Sequence, residues 1–191
     1  MDLVLDASWE VFAEKTYDAA TVEDIARASE ISVGTLYQLF RSKEDIYMAM
    51  VARQQERFFE VVNERVDGAT GPRDQVHATV RAHMELFAEY RMQWRLYVTA
   101  SSGFSRELKD ELARSVMSFH MDFLQRLTGV CRSGLEEGGF RAGVSAELMA
   151  VSLLWLPHSF LTFIFEHEDT DVQALIPDAI EAADRITGTA A

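Results

Sequence analysis

TVEDIARASEISVGTLYQLFRSKED, from Thr21 to Asp45, decides how the rest of the chain is read. Thr21 stands at an N-cap position with Asp24 three residues on. Its hydroxyl can satisfy an orphan amide while the carboxylate faces the positive end of a helix. Ile25 and Ala26 supply the buried side of that helix. Ser32 is a second N-cap and opens a helix in which Leu36 and Phe40 fall at i and i+4 and turn inward. The opposite side presents Val33, Gly34, Tyr37 and Gln38. The segment predicts two short helices joined by a tight turn, with a further helix capped by Ser42.

From about Val4 to Val51 the chain resembles the helix-turn-helix domain of TetR-type (tetracycline-repressor-like) transcriptional regulators. The segments that carry the resemblance are FAEK at Phe12 to Lys15, VEDIA at Val22 to Ala26, GTLY at Gly34 to Tyr37 and SKED at Ser42 to Asp45. The resemblance implies an all-α protein of about nine helices. A three-helix DNA-binding domain would span residues 1–45, and an effector-binding and dimerisation domain residues 46–191. It also implies that residues 33–38 enter the major groove, with Tyr37, Arg41 and Lys43 positioning the domain on phosphates. Val33 suits a thymine methyl, Gln38 suits adenine, Thr35 suits a phosphate or a base edge, and Gly34 allows close backbone approach. With the capping hydroxyls, the candidate DNA-contacting set is Thr21, Ser32, Val33, Gly34, Thr35, Tyr37, Gln38, Arg41 and Lys43. The chain departs from the family pattern at Thr16 and Glu30, where glycine is usual, at Val33, where lysine or a polar residue is common, and at Leu39, where tyrosine is common. A left-handed backbone at Thr16 or Glu30 would cost about 1 kcal/mol or more.

The 191 residues are 48% hydrophobic, enough for one or two small domains with a substantial core. A net charge of −13 runs against a duplex-binding role, since Lys and Arg supply most non-specific affinity. Its distribution matters more. The first fifty residues hold ten acids and four bases, yet Ile31 to Lys43 contains Arg41, Lys43 and no acid. We therefore expect weak non-specific binding and a shallow salt dependence, with hydroxyls and helix-end amides making many phosphate contacts. Cys131 is the only cysteine, which excludes an intrachain disulfide, and it reads as a small buried residue. Met1 to Ser8 lacks the basic start and apolar run of a secretory leader, so a cytoplasmic location is expected.

Along the chain, the first helix is expected to begin after Asp2 as its cap and end near Lys15, with Val4, Leu5, Ser8, Val11 and Phe12 inward. Ser42 opens a fourth helix to about Arg65. The segment DGATGPR, Asp67 to Arg73, breaks the pattern, with Gly68, Gly71 and Pro72 stopping the fourth helix. Further helices are expected at Val76 to Phe87, Met92 to Ser102, Arg106 to about Leu135, Ser145 to Phe165 and Val172 to Ile186. The run LMAVSLLWLPHSFLTFIF, Leu148 to Phe165, is long enough to consider as a membrane span, but polar residues interrupt it and acids flank it. Cover from a partner subunit explains it better. The resemblance implies the same thing: a homodimer through a four-helix bundle of the last two helices, with two recognition helices about one DNA turn apart on a palindrome.

The resemblance implies an effector pocket between the later helices, and fourteen of the twenty aromatic residues follow residue 50. Candidates are Phe87, Trp94, Tyr97, Phe119, Phe123, Trp155, His158 and Phe163, with Met84, Met117 and Met121 as deformable filler. Such walls suit an apolar or aromatic small molecule carrying one or two hydrogen-bonding groups. Of the five histidines, only His77 meets ligand spacing convincingly, with Asp74, so no metal and no cofactor is expected. No glycine-rich phosphate loop or nucleophile motif is present, and no enzymatic activity is expected. The resemblance implies a transcriptional regulator, a repressor released from DNA by its effector. The alternative, motivated by Glu30, Val33 and the acidity, is a small-molecule-binding or adaptor protein of the same fold that has lost DNA binding.

Overall fold

A computed structural model describes residues 1–89, 104–167 and 170–188. Among the described residues the chain is entirely helical, with eight helices and no strand. They are α1 (Asp2–Glu14), α2 (Val22–Ala28), α3 (Val33–Leu39), α4 (Lys43–Asp67), α5 (Gly71–Glu89), α6 (Arg106–Glu136), α7 (Ala146–Glu166) and α8 (Val172–Thr187). The expected helix at Met92 to Ser102 lies outside the described residues. Two compact units form: residues 1–57 with 92–117, and residues 58–91 with 118–191.

In the first unit the inward stripe of α1 is as expected: Val4, Leu5, Ser8, Val11 and Phe12 are buried. Asp2 does not cap it. It lies within the first turn, where a carboxylate still favours the positive helix end, and Met1 is the N-cap residue. Leu36, Ile25 and Ala26 close the core against α1, and the Tyr17, Tyr47 and Phe104 rings meet edge-on at 4.7–5.3 Å. Burying a side chain of Leu36's size stabilises the fold by about 2 kcal/mol. This core fixes the backs of α2 and α3 and leaves their other sides in solvent.

In the second unit, α5, α7 and α8 pack together. Gly71 and Pro72 open α5 rather than stopping α4, which ends four residues earlier at Asp67. Proline suits a first helical turn because its missing amide proton would have no partner there. Buried Asp184 on α8 accepts from Arg73 Nη2 at 2.9 Å and pairs with His77 Nε2 at 2.7 Å, which ties α5 to α8. His77 is thus matched with Asp184 and not with Asp74. The Phe140 ring lies over Gly134, where a Cβ would fall 2.4 Å from it, so only glycine fits that turn of α6. Cys131 is fully buried, and burial pushes its thiol up to about 12. α7 buries Met149, Ala150, Leu153 and Leu154 on one side. On the other it exposes Leu148, Val151, Trp155 and Phe163. Among the described residues, no helix is long and apolar enough to cross a membrane.

Candidate functional site

The local chemistry of α2 and α3 explains how the exposed side of this pair is held. Thr21 Oγ1 accepts from the Asp24 amide at 3.1 Å, and the Asp24 carboxylate accepts from the Thr21 amide at 3.1 Å and its hydroxyl at 2.7 Å. This reciprocal cap satisfies donors that the helix leaves open. Lys15 Nζ adds an ion pair to Asp24 at 2.7 Å, and Arg27 approaches the same oxygen at 3.4 Å. Lys15, then Thr21, hold the Asp24 carboxyl well below the usual carboxylate range.

Between the helices the chain reverses at Glu30, whose φ of 56° is the sole left-handed value among the described non-glycine residues. The hydrogen bonds explain it. Ile31 N donates to Ala26 O at 3.0 Å and Glu30 N to Arg27 O at 3.2 Å, the paired closure of a helix end whose left-handed residue is most often glycine. The expectation at Glu30 is met. Thr16 is not left-handed, because α1 ends through an extended Lys15 at φ −113°.

α3 then starts under Ser32, whose Oγ accepts from the Thr35 amide at 3.0 Å and lies 2.8 Å from Thr35 Oγ1. Gly34, Thr35, Tyr37, Gln38 and Leu39 are exposed, while Val33 is half-buried and shares its side chain with the core. Nothing in the protein requires glycine at position 34, since an added Cβ would meet Ser32 Oγ at an ordinary 3.7 Å. Its free side is open for something outside the chain. Arg41 is exposed, and its amide donates to Asp45 at 3.1 Å. Lys43 is placed differently. Its ammonium donates to Tyr17 O at 2.7 Å and Ala20 O at 3.1 Å and lies 4.3 Å over the Tyr17 ring. That leaves one hydrogen for any external acceptor.

In the second unit five candidate effector residues come together. Phe87, Phe119, Phe123, Trp155 and His158 belong to a continuous ring cluster with Phe58, Phe59, His83 and His120. Phe163 is exposed and stacks on His167 at 4.4 Å instead. Trp94 and Tyr97 lie outside the described residues. Met84 is buried, whereas Met117 and Met121 are exposed. Sequence reasoning missed Phe58, Phe59, His83 and His120, although His83 lies one turn before Phe87.

The histidines have defined chemistry. His83 Nδ1 lies 2.8 Å from Thr79 O and His158 Nδ1 3.0 Å from Leu154 O. A carbonyl only accepts, so each Nδ1 carries the proton and each Nε2 a lone pair. Burial pushes the imidazoles down to about 3 for His83 and about 4 for His158. His120 Nε2 lies 3.4 Å from His158 Nε2, and the His120 ring stacks on Trp155 at 5.3 Å. No group of three or more His, Cys, Asp or Glu side chains suited to a metal occurs among the described residues. Phe123 borders a cavity of about 10 Å³ with Val62, Thr79 and Leu127, room for one water.

Residues 4–50 match the family model described as bacterial regulatory proteins, tetR family. The chain is 22% identical over 179 residues to the fatty acid metabolism regulator protein of Bacillus subtilis (strain 168), covering 93% of this chain and 90% of the relative. It is 26% identical over 179 residues to the HTH-type transcriptional regulator UidR of Escherichia coli (strain K12), covering 94% and 88%. Among solved structures, FadR from Bacillus subtilis in complex with stearoyl-CoA superposes with a TM-score of 0.79 at 20% identity, over 99% of this chain and 98% of that one. With its capped α2, the closed turn at Glu30 and an outward α3, the segment from residue 4 to residue 50 is the N-terminal domain of the tetR family of bacterial regulatory proteins.

Proposed function

We propose that this protein is a DNA-binding transcriptional regulator that occupies a palindromic operator as a homodimer and leaves it when a small apolar or aromatic effector binds. The reading head is residues 1–45, the effector and dimer domain is residues 46–191, and the protein works in the cytoplasm. The observation that carries this reading is α3: its back is locked into the core by Leu36, and Gly34, Tyr37 and Gln38 face solvent. Tyr37 and Arg41 position the head on phosphates, Thr21 and Ser32 hold the helix starts, and Gln38 reads a base.

Dimerisation is supported by the exposed Leu148, Val151, Trp155 and Phe163 on α7, a stripe that a second copy would cover. The effector's class is supported by the Phe87, Phe119, Phe123, Trp155 and His158 cluster. Long-chain fatty acyl thioesters head the compounds to test, because a protein of like fold is described with stearoyl-CoA. A differential affinity for the free and DNA-bound arrangements is all that release requires.

Selection from random duplex DNA tests the proposal. Recovery of a palindrome whose half-sites lie about one turn apart, roughly 34–36 Å, supports it, as does loss of that complex on adding an acyl thioester. A second reading, a fold relative without DNA binding, is favoured by the pairing of Lys15 and Arg27 with Asp24 and the inward anchoring of Lys43. Absence of any enriched sequence at low salt would establish it.

A further inference from the structure

The outward side of α3 has few polar readers, and this limits the bases it can specify. The helix, VGTLYQL, has no Arg, Lys, Asp or Glu. Guanine is read in the major groove by Arg or Lys donors on O6 and N7, and cytosine by a carboxylate on its amino group. α3 carries neither. Ser32 and Thr35 are turned toward each other by their 2.8 Å hydroxyl contact, so their polar atoms serve the helix start. What remains is the Gln38 amide, a fork suited to the N6 and N7 edge of adenine, and the apolar surfaces of Val33, Gly34 and the Tyr37 ring. The nearest exposed cation, Arg41, lies beyond the last residue of α3.

We infer that the bases under α3 form an A·T-rich run, specified by thymine methyl groups and one adenine, with any G·C preference confined to flanking positions within reach of Arg41. The inference rests on the DNA-binding reading above. It makes Gln38 the hydrogen-bonding specificity residue and Val33 and Gly34 the methyl readers, with the Tyr37 ring beside them while its hydroxyl stays on phosphate.

The test starts from the selected operator. The position at which Gln38→Ala relaxes base preference marks where α3 sits. Each neighbouring thymine is then replaced by uracil, which removes the C5 methyl and keeps the pairing, and affinity is followed by fluorescence anisotropy. The expected result is A·T pairs through that run and roughly fourfold weaker binding for each contacted methyl removed. A palindrome with G·C pairs at those positions, or uracil duplexes bound as tightly as thymine duplexes, overturns the inference and leaves the regulator reading standing. Failure to enrich any sequence overturns both.

Discussion

Gly34→Ala should move stability and DNA affinity in opposite directions. Position 34 is the second residue of α3, and it is solvent-exposed. Replacing an exposed helical glycine by alanine stabilises by about 0.5–1 kcal/mol, mostly by restricting the unfolded chain. The new methyl would meet nothing closer than Ser32 Oγ at 3.7 Å, so the gain is not offset by a clash. For a chain of this size the gain appears as a rise in melting temperature of roughly 1–4 °C. Against DNA the same methyl stands on the face that approaches the groove. Forcing a methyl into a closely packed contact costs about 1–3 kcal/mol, which weakens operator binding roughly five- to a hundredfold. Thermal unfolding of the free protein and anisotropy titration of the operator measure the two effects on one sample. A variant that is more stable and binds as tightly as the native protein would refute the close approach of α3. One that is less stable would refute the account of why glycine stands there.

Backbone strain at Glu30, with φ at 56°, orders three proteins by urea midpoint: Glu30→Gly at or up to about 1 kcal/mol above the native chain, and Glu30→Val about 1–2 kcal/mol below it. The reverse order would show that the turn is not left-handed in solution. His83 and His158 are held neutral when folded, with pKa values pushed down to about 3 and about 4, so each adds stability above the unfolded value near 6.5. That contribution is lost as pH falls from about 6.5 toward 4 and below, where the unfolded chain binds the extra protons. The urea midpoint should fall across this window and fall less in His158→Phe; equal slopes would contradict the burial argument. Asp184→Asn removes the charge that pairs with Arg73 at 2.9 Å and His77 at 2.7 Å, and should destabilise by about 1–3 kcal/mol in chemical denaturation. An unchanged midpoint would mean that the cluster is not formed.

What could be read from the residues was mainly local. The caps at Thr21, Ser32 and Ser42 form as expected because each is a contact of a side chain with an amide three residues on. The same locality made Glu30 legible. Asp2 was misjudged because an acid in a first turn and an acid at a cap look alike in sequence. Pairs distant along the chain were not legible. Lys43 finds its carbonyls 26 and 23 residues away, and Asp184 meets His77 across 107. Only tertiary packing decides such partners, and no period reports them. The aromatic cluster falls between these cases. Phe87, Phe119, Phe123, Trp155 and His158 do come together. Phe163, eight residues beyond Trp155 on α7, is roughly 12 Å further along the axis and misses the cluster.

The inward anchoring of Lys43 bears on how such a protein would find its target. With Lys15 and Arg27 paired with Asp24 and Lys43 hooked onto Tyr17 and Ala20, among the described residues Arg41 is left as the one basic side chain of the first fifty without an ion pair or carbonyl partner. A head with so little general attraction for phosphate dwells briefly on random sequence. Its search would proceed by repeated short visits through solution rather than by long one-dimensional slides, so that few copies are held up on the bulk of a chromosome. Single-molecule tracking on stretched DNA would show this directly as short, non-processive residence away from the operator.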